Sequence, residues 1–173
     1  MWTVTDSPVG SLRIVARDGA IVAIEFSPFR TPVTDESLAT AGPLAPPGAP
    51  LGSREDHNPL LRSAVDQLAA YFARELKEFD LPLAPRGSAF QQLVWDQLRL
   101  IAYGETASYG EIARRLGKSN AASRAVGLAN GRNPIPIVIP CHRVIGANGT
   151  LTGYAGGLER KQQLLELEQD ALF

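Results

Sequence analysis

Short apolar runs open the chain: Leu12 to Ala16 and Ile21 to Phe26 flank the tetrapeptide Arg17-Asp18-Gly19-Ala20. An Asp-Gly pair between two strand-length runs is a strong short-range hairpin signal, because both residues tolerate the positive φ of a tight turn. A small antiparallel sheet is therefore expected. From Ser27 to about Asp56 the chain is rich in Pro, Gly and Ala and has no sustained period, which predicts a long surface loop over 27–56 with no assigned function. Helical spacing then begins. Asn58-Pro59 supply an N-cap and a first helical residue, and Leu60, Leu61, Ala64, Val65, Leu68, Tyr71 and Phe72 follow on one face, expected to cover the sheet. Pro82 and Pro85 interrupt the pattern, so residues 81–87 read as a linker between lobes of residues 1–84 and 85–173.

In the second lobe, Ser88 and Gln91 form a capping-box pattern ahead of an apolar stripe of Phe90, Leu93, Val94, Leu98 and Ile101, with Trp95 read as packing. Ser108 and Glu111 repeat the box. Ile112, Ala113 and Leu116 then form a short apolar face, Gly117 fits a left-handed stop, and Lys118-Ser119-Asn120 leads to a second helix from Ala121 to about Asn130, ending before Gly131. The pair has the form of a helix-turn-helix, although any helical hairpin gives a similar pattern. Its second helix is slim: Ala121, Ala122, Ala125, Gly127 and Ala129 leave Arg124 as its one long side chain. Close packing against another helix and entry into a DNA groove both account for that. The expected fold is thus an α/β (α+β) lobe with a small antiparallel sheet and a helix, followed by a mainly α lobe containing a helix-turn-helix.

With 173 residues, 45% of them hydrophobic, the chain can bury a substantial core. No stretch approaches the roughly 20 apolar residues of a membrane span, and Met1-Trp2-Thr3-Val4-Thr5-Asp6 lacks the basic and apolar regions of a signal peptide. A soluble, cytoplasmic protein without a membrane partner is expected. The single cysteine excludes an internal disulfide, and one cysteine with two histidines argues against a structural zinc site. The net charge of -1 is unevenly spread. Residues 1–98 carry 8 basic and 12 acidic side chains, residues 99–143 carry 7 and 2, and residues 144–173 carry 2 and 4. A basic segment inside an acidic chain suits local phosphate contact, and equally suits a solvated charged face.

That basic segment ends on the cysteine. Ile135 to Ile139 is apolar and β-branched, punctuated by Pro134, Pro136 and Pro140, and reads as a stiff, extended segment delivering Cys141 to a fixed place. A lone cysteine is ordinarily an inert small hydrophobe. A free thiol, with a pKa of about 8.5, is only a few per cent thiolate at neutral pH, so a working nucleophile needs a base or a nearby cation. His142 and Arg143 are the candidates. Neighbours in an extended chain point to opposite faces, so His142 would act through a water or a local bend.

The run Asn133-Pro134-Ile135-Pro136-Ile137-Val138-Ile139-Pro140-Cys141-His142-Arg143-Val144 resembles the active-site signature of the O6-alkylguanine-DNA alkyltransferases, the methylated-DNA-protein-cysteine methyltransferases. Gly153-Tyr154-Ala155-Gly156-Gly157-Leu158, Ser108-Tyr109 and Arg124-Ala125-Val126-Gly127 resemble that family in the same order, so the likeness spans roughly residues 88 to 168. It implies that Cys141 is the permanent alkyl acceptor, His142 its base through a water, and Glu168 the group that orients His142. Asn133 would be the hinge between the helix pair and the cysteine loop. Tyr109 would donate to the departing guanine and lie near the target phosphate. Arg124 would fill the gap left by the extruded nucleotide, on a helix placed in the minor groove with Lys118, Ala122, Ala125 and Gly127 beside the DNA. Tyr154, Ala155, Gly156 and Val144 would surround the base. The implied partner is double-stranded DNA containing O6-alkylguanine, and the implied protein is a monomer when free, used once, with no cofactor and no metal. Two departures stand out: Ala155 replaces a serine of some members, and the zinc carried by some N-terminal lobes lacks ligands here. Two other readings of the same residues are a Cys-His-Glu hydrolase, which leaves Tyr109 and Arg124 without roles, and a non-catalytic lesion-binding module.

Overall fold

The computed structural model describes residues 1–29 and 51–170, so most of the 27–56 stretch lies outside the described residues. The chain divides into two units, Met1–Arg86 and Gly87–Phe173.

In the first unit, β1 (Trp2–Thr5), β2 (Leu12–Arg17) and β3 (Ala20–Phe26) form an antiparallel sheet in the order β1-β2-β3. Asp18 and Gly19 turn the β2–β3 hairpin with φ of 50° and 77°, the pair of positive values that a two-residue turn of this hand requires. Helix α1 (Pro59–Phe72) is capped by Asn58, whose side chain accepts from the Leu60 and Leu61 N–H groups. It buries Leu61, Ala64, Leu68 and Tyr71 and packs on β2. Leu61 and Leu68 each contribute about 1.5–3 kcal/mol through the apolar area they remove from water.

Both sheet edges are closed by segments whose composition reads as loop. The Trp2 N–H donates to Ser53 O at 3.0 Å and the Glu55 N–H to Trp2 O at 2.8 Å, while Leu51 is buried with Val15, Val22 and Ala23. On the far edge, the Ile21 N–H donates to Pro82 O at 2.8 Å and the Ala84 N–H to Ile21 O at 2.9 Å. Residues 51–56 and 81–84 are therefore strand-like edge partners, in place of the surface loop and linker expected there. The cause is long-range: an edge strand presents unpaired N–H and C=O groups, and these segments satisfy them. Pro82 contributes only a carbonyl, so its missing donor does no harm at that position.

The second unit comprises α2 (Ala89–Leu98), β4 (Ala107–Ser108), α3 (Tyr109–Arg115), α4 (Ser123–Gly131), β5 (Val144–Ile145) and α5 (Leu158–Asp170). Both capping boxes form, at Ser88 with Gln91 and at Ser108 with Glu111, and Gly117 ends the turn after α3 at φ 75°. Strands β4 and β5 pair in parallel, bringing Ser108, immediately before Tyr109, beside Ile145, four residues beyond the cysteine. Trp95 is buried, and its indole N–H donates to Ala129 O at 2.9 Å, as packing requires. Two expectations fail. Leu93 is 52% exposed, because α2 buries only Val94, Trp95 and Leu98. The second helix of the pair opens as a 3-10 turn over Asn120–Ala122 and continues through Gly131, since no side chain caps its start and a helical glycine is tolerated at its last turn. Among the described residues no helix is long and apolar enough to cross a membrane.

Candidate active site

The segment before the cysteine is a chain of tight turns, where a stiff, extended segment was expected. Three prolines remove the N–H groups a ladder needs, and the Asn133 carboxamide takes over: its Nδ2 donates to Ile139 O at 2.8 Å and its Oδ1 accepts from the Ile135 N–H at 3.0 Å. Ile137 sits at φ 73° between the Pro136 carbonyl and the Val138 N–H, which bond at 2.9 Å. This is a γ-turn of the rare positive-φ kind, strained for a β-branched residue and held by burial of Ile135, Ile137 and Ile139. Pro140, at φ −80° and ψ 64°, makes a second γ-turn of the common hand, with the Cys141 N–H donating to Ile139 O at 2.8 Å. From α4, the Asn130 Nδ2 donates to Cys141 O at 3.3 Å. The α4 C-terminus is thus tied to the cysteine loop by two carboxamides, only one of which the sequence had suggested.

Cys141–Arg143 is a 3-10 turn, so the alternation of an extended chain does not apply to His142. The His142 ring is fully buried, with Nε2 2.7 Å from Glu168 Oε1 on α5. Arg143 lies against the same carboxylate, its Nε at 3.0 and 3.2 Å and its Nη2 at 2.8 Å, while its Nη1 donates to Ile101 O at 2.7 Å. Burial alone would push the Glu168 carboxyl up, but the hydrogen bonds and charges of His142 and Arg143 outweigh it and hold it at about 2. Glu168 is therefore ionised and can only accept, which places the imidazole proton on Nε2. Burial lowers the His142 pKa more than Glu168 raises it, so the ring is neutral. Its Nδ1 carries a buried lone pair with no hydrogen-bond partner among the described residues.

Cys141 is 3% exposed. Burial pushes its thiol up to about 11, against the opposing pull of the Asn133 side chain, the Lys161 charge, the local backbone N–H and the Tyr154 hydroxyl. Lys161 beside the thiol is a residue that the sequence reading missed. It is buried, its Nζ donates to Thr152 O at 3.0 Å, and burial lowers its pKa while Cys141 raises it. The available signal was helical spacing: Lys161, Leu164 and Glu168 fall at i, i+3 and i+7 on α5, and all three are buried. Thr152 was missed as well. Its hydroxyl lies 2.5 Å from the Tyr109 hydroxyl.

Asn133, Lys161 and Tyr154 thus act on the Cys141 thiol, His142 on the same turn pairs with Glu168, and Tyr109 meets Thr152, whose carbonyl holds Lys161. Val144 is fully buried within β5, Gly156 is half-buried and Ala155 is exposed. The remaining residues stand apart on the helix pair. Arg124 and Ala125 are exposed on α4, Ala122 and Gly127 are half-buried, and Lys118 is exposed with its Nζ 5.9 Å from the Phe90 ring centre. Helix packing accounts for Ala129, against Trp95, and leaves Gly127 unforced, since an added Cβ there would be in ordinary contact, 3.6 Å from the Tyr109 ring. It does not account for Ala121 and Ala125, which leave a thin outer face. Arg124 is not the only long side chain there, since Leu128 is 66% exposed.

A buried cysteine, followed in the same turn by a histidine paired with a glutamate and tied by Asn130 and Asn133 to a short helix pair, defines a protein built around one shielded thiol. Residues 89–170 match the 6-O-methylguanine DNA methyltransferase DNA binding domain and residues 1–85 match the ribonuclease-like domain of the same proteins, so the chain belongs to the 6-O-methylguanine DNA methyltransferase family. The methylated-DNA–protein-cysteine methyltransferase of Mycolicibacterium paratuberculosis is 50% identical over 97% of this chain and 92% of its own length. That of Methanosarcina acetivorans is 61% identical over 65% of this chain and 72% of its own. The crystal structure of Mycobacterium tuberculosis OGT in complex with DNA superposes with a TM-score of 0.82 at 45% identity, covering 98% of this chain and 93% of that one.

Proposed function

We propose that this protein repairs DNA by direct reversal, moving an alkyl group from O6 of guanine in duplex DNA irreversibly onto Cys141, with residues 85–173 carrying both DNA binding and chemistry. The observation that carries the reading is the neutral His142, oriented by Glu168 through Nε2 and presenting an unpartnered Nδ1, one residue from the only cysteine. The DNA-bound relative of the same fold supports it.

A base inside the stack is closed to in-line attack, so the damaged nucleotide is extruded to lie beside Tyr154, Ala155 and Gly156, at lower cost than an intact one. Arg124 occupies the gap from the minor-groove side, with Ala122, Ala125 and Gly127 keeping the helix thin and Lys118 near phosphate. His142 Nδ1 takes the thiol proton through a water, and sulfur attacks the alkyl carbon. The S–C bond forms as the C–O6 bond breaks, its electron pair passing to guanine, which receives a proton from Tyr109. The thiol proton held by His142 restores the phenol through solvent, so no net proton is consumed. The S-alkyl group stays in place because its removal would have to expel a thiolate from carbon, a poor leaving group, so each molecule acts once and no external cofactor takes part. The protein works inside the cell, where its DNA is.

The test is to mix the protein with duplex DNA containing O6-methylguanine and weigh the intact chain. One added methyl group on Cys141, and never more than one per molecule, is expected. Unmodified protein with unrepaired DNA would overturn the reading, and repeated turnover of an ester or amide would favour a hydrolase.

A further inference from the structure

Thr152 is held from two sides. Its carbonyl accepts from the buried Lys161 ammonium at 3.0 Å, and its hydroxyl meets the Tyr109 hydroxyl at 2.5 Å. Neither bond is local: Lys161 is on α5, nine residues away, and Tyr109 opens α3, 43 residues away. The Tyr109 ring lies beside Gly127 of α4, 3.6 Å from where a Cβ would stand. The ring is therefore placed by α3 and α4, and the direction of its O–H remains to be set by whatever meets the oxygen.

We propose that Thr152 is a positioning residue for alkyl transfer, donating its hydroxyl proton to the Tyr109 oxygen so that the phenolic hydrogen is left to face the base. A phenol that accepts one hydrogen bond while giving another is polarised toward donation. As guanine takes the Tyr109 proton, negative charge grows on the phenolic oxygen, and the Thr152 O–H is already aimed at it. Lys161 keeps the Thr152 backbone from following the tyrosine when the base enters. No covalent bond changes at Thr152, and its proton is retained. The inference rests on Tyr109 being the donor to the leaving guanine.

The experiment measures single-turnover alkyl transfer from duplex O6-methylguanine DNA at saturating protein, together with DNA affinity and the thermal midpoint. Thr152→Val removes the hydroxyl at nearly constant shape, Thr152→Ala removes it without β-branching should the valine variant fold poorly, and Thr152→Ser restores it. A hydrogen bond to a charged group corresponds to roughly ten- to a hundredfold. The Val and Ala variants are expected to transfer about tenfold or more slowly with unchanged DNA affinity, and Ser to recover most of the rate. In a Tyr109→Phe background Thr152→Val is expected to cost nothing further. Wild-type rate in Tyr109→Phe sinks the donor reading itself. A slow Tyr109→Phe beside a fast Thr152→Val overturns only the role of Thr152. Failure of serine to rescue, or a further loss in the phenylalanine background, overturns it too, because Thr152 would then act through shape.

Discussion

Replacing Glu168 with glutamine changes almost no volume and removes one charge. The carboxylate is 1% exposed, bound by His142 at 2.7 Å and by Arg143 at 2.8, 3.0 and 3.2 Å. A carboxamide has one acceptor oxygen, so its NH2 group must face either a guanidinium or an imidazole N–H, donor against donor. Leaving a buried cation without its partner costs about 3–5 kcal/mol. The acidity of the site gives a similar figure: a carboxyl held at about 2 instead of 4.5 corresponds to roughly 3 kcal/mol. In a chain of this length about 1 kcal/mol moves the melting temperature by roughly 2–4 °C, so Glu168→Gln is expected to lower it by roughly 6–20 °C in a circular-dichroism melt. Adding Arg143→Met removes the orphaned charge, and the double variant should be more stable than the sum of the single losses by about 2 kcal/mol. A fall of less than about 2 °C, or strict additivity, would refute the reasoning that Glu168 compensates the buried Arg143 charge.

Acid should destabilise the fold in two stages, because both groups bind protons more readily when unfolded. His142, whose pKa is depressed, contributes from 6.5 downward, and Glu168 contributes between 4.5 and about 2; urea midpoints that rise as the pH falls from 7 to 3 would contradict this. Iodoacetamide should modify Cys141 of the DNA-free protein slowly at neutral pH and about tenfold faster per pH unit until about 11, whereas a plateau by pH 9 would mean that the thiol is not shielded. Arg124→Ala is expected to slow repair in duplex DNA by about tenfold or more while leaving iodoacetamide reactivity unchanged, since Arg124 is exposed on α4 and outside the thiol's surroundings. Equal loss in both assays would count against a role in filling the duplex.

Features governed by a few consecutive residues were legible in the sequence. The Asp18-Gly19 turn, the Asn58-Pro59 helix start and the boxes at Ser88 and Ser108 all formed, because each is decided within about four residues. Features decided across the fold were not. Leu51 to Asp56 and Leu81 to Ala84 look like loops by composition and become edge partners only once the sheet exists to offer them hydrogen bonds. Ile135 to Ile139 has strand-forming residues, yet its prolines forbid a ladder and Asn133 bends it into turns. At the site, Cys141, His142 and Glu168 were named from the family resemblance. Lys161, Thr152 and Asn130 were not, since a lysine, a threonine and an asparagine give no local sign of which carbonyl or hydroxyl they will meet.

The ties at the end of α4 also set a length. Trp95 grips the Ala129 carbonyl, Asn130 grips Cys141, and Asn133 grips Ile139, so the helix and the thiol move as one piece. Under the proposed roles Arg124 marks the vacated place in the duplex and Cys141 the destination of the base, and that separation acts as a ruler. One residue inserted in α4 after Arg124 would shift it by about 1.5 Å and swing it about 100° around the helix axis, spoiling the measurement while leaving every reacting group in place.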